Sequence, residues 1–410
     1  MSVVQRARSA RRSILTRSQR SFGGTVVRVA GHLARDRITR PRAVRCGDVP
    51  TSVAAITPAW LTDVLCGGVP GAAVLGASVL GSSRGTHERH RLELTYNDVG
   101  SGARLPRSVF VKSLPTLVTR MIGGYNGTAR VEGQFYARVR PQLDLEAPIG
   151  YHSAFDPSSL ACVNLLEDVV ATKSAVFCDH RTRVTREMAE GMIDVLAVLH
   201  GHFYDDRRLD TDLRWLADYP TWFRVGARKM RTEHYTARAI ERAAGVIPAA
   251  VLDRRDRIWP AVLEAVRIHE RGPRSFLHSD VHIGNWYRTG TGSMGLCDWQ
   301  CPSKGHWSRD VAYAMATALA PEDRRAWEHG LLERYVEQLA QYIGTSPALP
   351  EAWDLYRQQM VHALWMWTIT LCHSPLLPAM QSEDTSLEMI ARITTAMADL
   401  ESIDAGRSVA

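Results

Sequence analysis

Residues 276–300 read FLHSDVHIGNWYRTGTGSMGLCDWQ, and this stretch decides how the rest of the chain is interpreted. Two short apolar segments flank a turn rich in Gly and Thr, a pattern that predicts a β-hairpin. Asp280 and Asn285 precede the first strand, and Asp298 ends the second. Because the strands of a hairpin run antiparallel, we expect these three side chains to meet at one edge of the hairpin.

These three residue types suit phosphoryl transfer. A carboxylate at Asp280 can orient an attacking hydroxyl and accept its proton. An amide oxygen and a second carboxylate are oxygen ligands of the kind that Mg²⁺ prefers. Protein kinases place the base and the amide at a fixed spacing and supply a metal-binding Asp later in the chain. Asp280 and Asn285 keep that spacing, and Asp298 takes the place of the later Asp.

The same residues resemble the catalytic segment of the aminoglycoside phosphotransferase and choline kinase-like superfamily, H-G-D-x-H-x-x-N followed by D-[FW]-[EQ]. Here the segments are HSDVHIGN at 278–285 and DWQ at 298–300, with Ser279 in place of the glycine. The GH pair at 305–306 and RDVAY at 309–313 are most similar to the ecdysteroid kinase-like (CHK-type) phosphotransferases. The resemblance spans about residues 55–400.

The resemblance implies a role for each matching residue. Asp280 is the catalytic base, and Asn285 and Asp298 are the Mg²⁺ ligands. Lys112 holds the α- and β-phosphates of ATP, and Glu132 pairs with Lys112. The other implied positions are the hinge that contacts adenine through backbone groups (Leu165, Leu166 and Glu167) and two residues that support the catalytic loop (His278 and Asp310).

The context of Lys112 gives an independent argument for its role. The chain has only four lysines against 46 arginines, and Lys112 lies in the apolar strand pattern SVFVKS at 108–113. Burying an unpaired ammonium is costly, so a counter-ion such as Glu132 is expected. A compact ammonium also suits a phosphate pair better than a guanidinium does. The alternative is a surface lysine at a strand edge.

The phosphate-binding loop is less clear in the sequence, because the β-rich first part of the chain contains no G-x-G-x-x-G. The candidate is the stretch GSSRG at 81–85, between two predicted strands. Its backbone N–H groups can cradle phosphate oxygens. The alternative is an ordinary hairpin turn. The candidate residues are Gly81, Ser82, Ser83 and Gly85.

The order of predicted elements indicates an α+β chain with a two-lobed, protein-kinase-like fold. We predict a β-rich N-lobe over 51–168 that binds nucleotide. A helical C-lobe over 169–410 then carries the catalytic loop and the acceptor site. Residues 1–50 are predicted to be a basic, disordered tail, because they are low in apolar content.

The charge of the chain is concentrated in that tail. The net charge is +7, but residues 1–50 hold 12 Arg against Asp36 and Asp48, a balance of +10 that leaves the rest of the chain at −3. A domain-wide basic patch for nucleic acid is therefore not expected. An alternative gives the tail a role in tethering the chain to nucleic acid or to an anionic membrane.

Other sequence features narrow the class of protein. No apolar run is long enough to cross a bilayer, and the basic N-terminal residues lack an apolar core, so we expect neither a membrane span nor a secretory signal. The seven cysteines form no CxxC pair, which favours a reduced, cytoplasmic protein without a zinc site. The sequence leaves the oligomeric state open.

The sequence thus predicts a phosphotransferase that moves the γ-phosphoryl group of ATP, with Mg²⁺, to a hydroxyl of a small molecule. One alternative is a catalytically silent kinase-like protein that binds nucleotide or a partner. Another is a true aminoglycoside O-phosphotransferase, which the net charge of −6 in residues 301–410 would suit. Trp365 and Trp367 lie two positions apart in a predicted helix, so we expect one in the core and one beside the acceptor.

Overall fold

The computed structural model describes residues 22–85, 87–345, 347–374 and 379–406. This part of the chain divides into two compact units. The first unit comprises the residues up to Ala137 together with Ile149–Asp168, and the second comprises Arg138–Pro148 and the residues from Val169 onward. No helix in the described ranges is both long enough and apolar enough to cross a membrane.

A five-stranded antiparallel sheet forms the centre of the first unit. Its strands are β1 (Val74–Arg84), β2 (Glu88–Tyr96), β3 (Ser108–Ser113), β4 (Gly150–Phe155) and β5 (Cys162–Glu167), in the spatial order β1-β2-β3-β5-β4. Successive side chains of a strand point to opposite faces. One face is therefore apolar, and its Val109 and Val111 belong to a buried cluster with Trp60 of the helix Pro58–Leu65. Lys112 points to the other face.

The remaining helical segments of the first unit are short, apart from one near the N-terminus. They are 22–39, Val53–Ala55, Asp98–Ser101, Leu117–Thr119, Arg120–Tyr125 and Thr128–Gln134, and the segment Phe135–Val139 continues the last of these into the second unit.

The helix at 22–39 differs from the disordered tail predicted for residues 1–50. Val29 is fully buried, and Asp36 lies 3.5 Å from the guanidinium of Arg120, which is itself fully buried. Arg28 donates hydrogen bonds to the carbonyls of Pro157 and Ser158. These polar contacts and the buried Val29 hold the helix on the first unit. Residues 1–21 of the predicted tail lie outside the described residues.

Helices make up most of the second unit. They are Val169–Lys173, Arg186–His202, Tyr219–Met230, Thr232–Arg242, Ala249–Leu252, Arg255–Arg271, Ser308–Ala318, Pro321–Ile343, Leu349–Leu371, Glu383–Asp399 and Ser402–Ala405, with 3₁₀ turns at Arg140–Gln142, Arg207–Leu209, Ala244–Val246 and Ile283–Asn285. The helix Ser308–Ala318 is buried along its whole length, so it is the central helix of this unit.

Six short strands of the second unit form two small sheets. The strands Val176–Phe177, Trp286–Arg288 and Met294–Leu296 make one sheet, and Ala217–Asp218, Ser275–Leu277 and Ser303–Gly305 make the other. The predicted α+β composition, with a small β-rich part and a larger helical part, is confirmed.

One segment predicted for the N-lobe belongs to the second unit. Residues 138–148 lie there because Glu146 makes three contacts within that unit. Its carboxylate accepts hydrogen bonds from Lys173 at 2.7 Å and from the Tyr287 hydroxyl at 2.6 Å, and its carbonyl accepts one from the N–H of Leu296.

Candidate functional site

The predicted catalytic hairpin is formed by the strands Trp286–Arg288 and Met294–Leu296. Trp286 pairs with Leu296, and one step further the N–H of Cys297 donates to the carbonyl of Asn285 at 2.9 Å. Asn285 and Cys297 are therefore opposite each other where the hairpin opens. Asp298 is the next residue, so the hairpin carries it to the same edge as Asn285.

The side chain of Asn285 binds Asp280 directly. Its Nδ2 donates to the Asp280 carbonyl at 2.7 Å and to Asp280 Oδ2 at 3.3 Å. The amide nitrogen is thus used inside the protein, and Oδ1 is the atom available as a ligand. The Asp280 side chain keeps about a fifth of its surface exposed, so its carboxylate can meet a hydroxyl from outside.

Two further side chains lie against the Asp280 carboxylate. The hydroxyl of Tyr313 donates to Oδ1 at 3.4 Å, and His282 Nε2 lies 3.9 Å from Oδ2. Burial raises the pKa of Tyr313 well above its ordinary value, and the charge of Asp280 raises it further. Tyr313 therefore remains a protonated donor that orients the carboxylate.

His278 is buried and bonded at both ring nitrogens. Its Nδ1 accepts from the N–H of Asp280 at 3.2 Å, so the proton resides on Nε2, which donates to the carbonyl of Cys297 at 3.0 Å. Burial lowers the pKa of His278, which keeps the ring neutral. These bonds tie the residues before Asp280 to the end of the hairpin, as expected of a loop support.

The carboxylate of Asp310 holds the same loop from the buried helix Ser308–Ala318. It accepts hydrogen bonds from the backbone N–H groups of His278 at 2.7 Å and Ser279 at 3.2 Å. The guanidinium of Arg309 lies at 2.9 Å and His200 Nε2 at 3.6 Å. Burial alone would raise the pKa of Asp310, but its interactions with His200 and Arg309 lower that pKa to about 2. The carboxylate is therefore ionised.

Two residues of the loop and hairpin adopt left-handed backbone conformations. Ser279 has φ of 69° and Asp298 has φ of 64°. Only glycine adopts this region without strain, which explains the glycine of the superfamily segment at the place of Ser279. The Ser279 side chain gains a partner in return, since its hydroxyl lies 2.7 Å from that of Ser303.

The first unit holds the predicted lysine–glutamate pair. Lys112 Nζ lies 2.6 Å from Glu132 Oε1, and both side chains are buried. Asn164, which is opposite Lys112 on β5, donates to Glu132 Oε2 at 3.1 Å. Burial in a central strand contradicts the alternative of a surface lysine. The contact with Glu132 also fixes the position of the Lys112 ammonium on the face of the sheet opposite the apolar cluster.

The predicted phosphate loop is part of a strand for most of its length. Gly81, Ser82 and Ser83 lie in β1 and pair with residues 89–91 of β2, while Gly85 is in the connection between these strands. Neither Gly81 nor Gly85 has a positive φ, so no left-handed anion nest forms at either glycine. β1 is the edge of the sheet, and an edge strand presents backbone groups outward.

The residues predicted for the hinge lie inside a strand. Leu165, Leu166 and Glu167 belong to β5, which lies between β3 and β4. Their backbone groups pair with those two strands, and the N–H of Glu167 donates to the Ile149 carbonyl at 2.8 Å. Contact of these backbone groups with adenine stays a prediction. The first residue after the strand is Asp168.

Sequence reasoning missed several residues around these groups. Tyr313 follows Asp310 by three positions on a helix, and that spacing alone would have placed both on the face towards the catalytic loop. Asn164 and His200 are brought in by long-range packing and gave no local signal. Trp365 and Trp367 are both buried, and of the two it is Trp367 whose ring lies against His282, at 5.4 Å.

The two residues implied as metal ligands have the chemistry that Mg²⁺ requires. Asn285 offers an amide oxygen and Asp298 a carboxylate, both of which are hard ligands that suit Mg²⁺. Within the described ranges, no group of three or more His, Cys, Asp or Glu is arranged to hold a metal ion. A metal at the hairpin edge would therefore need ligands from the phosphates it accompanies.

One family model matches more than half of the chain. Residues 125–356 match the APH model, the phosphotransferase enzyme family. A protein assigned as an aminoglycoside phosphotransferase from Ralstonia eutropha is 14% identical over 85% of this chain and 97% of its own, with a TM-score of 0.49. Plasmodium vivax ethanolamine kinase is 13% identical over 78% of this chain and 81% of its own, at 0.44. Choline kinase from Streptococcus pneumoniae is 14% identical over 80% and 94%, at 0.41. No curated protein matches the chain significantly.

Proposed function

Because the chain belongs to the phosphotransferase enzyme family, we propose that it transfers the γ-phosphoryl group of ATP to a hydroxyl group of a small molecule. The observation that supports this most is the pairing of the Asn285 amide with Asp280 at the mouth of the hairpin that ends in Asp298. These are the base and the metal ligands that the family resemblance implies.

Asp280 acts as the base in this proposal. Its carboxylate accepts the proton of the acceptor hydroxyl while the hydroxyl oxygen bonds to the γ-phosphorus and the bond to the bridging oxygen of ADP breaks. Tyr313 and Asn285 each donate a hydrogen bond to this carboxylate and fix its orientation. Proton transfer by a positioned group of this kind contributes about 10²–10⁴ in rate.

Asn285 and Asp298 would hold Mg²⁺ when nucleotide binds, and the metal would neutralise charge on the transferred phosphoryl group. The backbone of Asp298 adopts a left-handed conformation, of the kind that occurs at functional sites. Lys112, which is paired with Glu132, is proposed to bind the α- and β-phosphates. The compact ammonium of a lysine binds phosphate groups as a point charge.

The acceptor is proposed to be a hydroxylated small molecule, and the ecdysteroid kinase-like subgroup is the preferred assignment. The resemblance of the RDVAY residues at 309–313 supports that subgroup, and two of them, Asp310 and Tyr313, contact the catalytic loop. A screen of hydroxylated compounds with ATP and Mg²⁺ tests the proposal, with a mass gain of one phosphoryl group as readout. Steroid alcohols and aminoglycosides form its two main arms.

A second measurement separates an active kinase from a silent nucleotide-binding protein. Asp298→Asn should weaken Mg²⁺-dependent ATP binding in a calorimetric titration and leave binding without Mg²⁺ unchanged. Asp194→Asn, at an exposed ion pair of the same unit, is the matched control. ATP binding without transfer to any acceptor would favour the silent alternative, and Mg²⁺ dependence that survives in Asp298→Asn would overturn the ligand assignment.

A further inference from the structure

The helix at 22–39 has two faces of opposite character. Val29 and Asp36 are two turns apart and so lie on one face, which packs on the first unit through the buried Val29 and the Asp36–Arg120 contact. Val27, Ala34 and Ile38 are spaced by seven and four, so they share the opposite face. Among the described residues, the helix is therefore anchored on one side and has no partner on the other.

The outer face is apolar along its centre. Val27 is 74% exposed and Ile38 is 83% exposed, the two highest values among the large hydrophobic residues of the described chain. Ala34, between them, is exposed as well. Val44, just beyond the helix, is 51% exposed. Apolar side chains that line one exposed face together, unlike single exposed ones, are typical of an interaction surface.

Arginines flank this apolar stripe on both sides. Arg35 and Arg37 lie on opposite borders of the stripe, since each is about a quarter-turn from its centre. Arg40, Arg42 and Arg45 follow the helix, and all five side chains are exposed. No carboxylate lies within ion-pair distance of Arg35 or Arg37 in the part of the chain that the structure describes. The sequence before the helix adds six more arginines and no acidic residue.

We propose that the outer face of this helix, with its basic flanks, binds an anionic membrane surface. An amphipathic helix with arginines beside an apolar stripe lies in the plane of the lipid headgroups, with the stripe at the acyl boundary. The exposed valine and isoleucine favour lipid over nucleic acid, because a phosphate backbone offers these side chains no apolar surface. The opposite face stays attached to the first unit, so docking needs no unfolding.

Vesicle sedimentation of the full-length protein tests the proposal. Binding is expected to vesicles of phosphatidylcholine with phosphatidylserine, to be weak with phosphatidylcholine alone, and to fall as salt is raised. Arg35→Glu with Arg37→Glu should lower the partition coefficient at least about 25-fold, since each arginine near an anionic surface contributes about a factor of five. The matched control is the pair Arg228→Glu and Arg238→Glu, which are exposed helical arginines of the second unit.

A second double variant tests the contribution of the apolar stripe. Val27→Ser with Ile38→Ser leaves the charge unchanged and should weaken vesicle binding about ten-fold through lost apolar burial. Val225→Ser, at a half-exposed helical valine, is the control and should bind as the wild type does. Thermal melting of every variant establishes that the fold is retained.

Three outcomes would overturn the proposal. These are failure of the wild type to bind phosphatidylserine vesicles at low salt, vesicle binding that both helix variants retain, and tighter binding to a DNA duplex than to the vesicles at equal salt.

Discussion

The substitution Asp310→Asn removes a negative charge from the interior of the second unit while keeping the size of the side chain. Asp310 is fully buried and accepts hydrogen bonds from the backbone of His278 and Ser279. It also faces the guanidinium of Arg309, which is 1% exposed. The variant keeps one acceptor oxygen and replaces the other with an NH₂ group that must face existing donors.

The expected cost follows from these contacts. Removing one partner of a buried ion pair leaves the other charge uncompensated and costs about 3–5 kcal/mol. Arg309 has no other carboxylate within ion-pair distance among the described residues, although its guanidinium lies 4.6 Å from the ring centre of Tyr219. We therefore expect the free energy of unfolding to fall by about 3–5 kcal/mol in Asp310→Asn.

Urea unfolding at neutral pH, followed by circular dichroism, measures this loss. The control is Asp194→Asn, which breaks a two-contact pair with Arg334 whose side chains are each more than a third exposed. Such an exposed pair contributes less than about 1 kcal/mol. A loss in Asp310→Asn no larger than that of the control would refute the reasoning that this carboxylate holds the loop through a buried charge.

Three further results are expected. Burial lowers the pKa of His306 to about 3 from its ordinary value near 6.5. Between these two pH values the unfolded chain binds a proton at His306 and the folded chain does not. As pH drops from 6.5 towards 3, this residue should therefore lower the free energy of unfolding by about 1.4 kcal/mol per pH unit. Lys112→Arg should weaken ATP binding, measured by calorimetry, because a bulkier planar cation cannot occupy the buried position beside Glu132. Gly150→Ala should lower the free energy of unfolding by about 1–3 kcal/mol, measured by urea unfolding, because the new Cβ would lie 2.5 Å from Cβ of Tyr136.

Each of these results has its control. His306→Gln should lose part of the acid sensitivity, and an unchanged pH slope in that variant would assign the sensitivity to other buried groups. Lys229→Arg, at an exposed position, should bind ATP as the wild type does. Gly76→Ala meets nothing closer than 3.8 Å, so its stability should match the wild type. Equal effects in variant and control would contradict the corresponding reason.

The parts that the sequence predicted well depend on local spacing. Asp280, Asn285 and Asp298 lie close together along the chain, so a hairpin alone brings them to one edge. The α+β composition followed from the order of strand-like and helix-like patterns. Lys112 and Glu132 are farther apart in the sequence, but their pairing could be expected because a buried ammonium needs a counter-ion.

The parts that differed depend on contacts distant in sequence. The helix at 22–39 is held by Arg120 and by the carbonyls of Pro157 and Ser158, none of which has a local signal. The residues predicted for the hinge lie in β5, because the apolar run that ends at Leu166 does not reveal where pairing with β4 stops. The network around Asp310 likewise includes His200, which comes from a helix much earlier in the chain.

The most direct test of the proposed function is the substitution Asp280→Asn, assayed with the acceptor that the screen identifies. Asn has the same shape but cannot accept the proton of the hydroxyl. We expect phosphoryl transfer to fall by about 10²–10⁴-fold, with ATP binding and thermal stability retained. Transfer at the wild-type rate by a folded Asp280→Asn protein would contradict the assignment of Asp280 as the base.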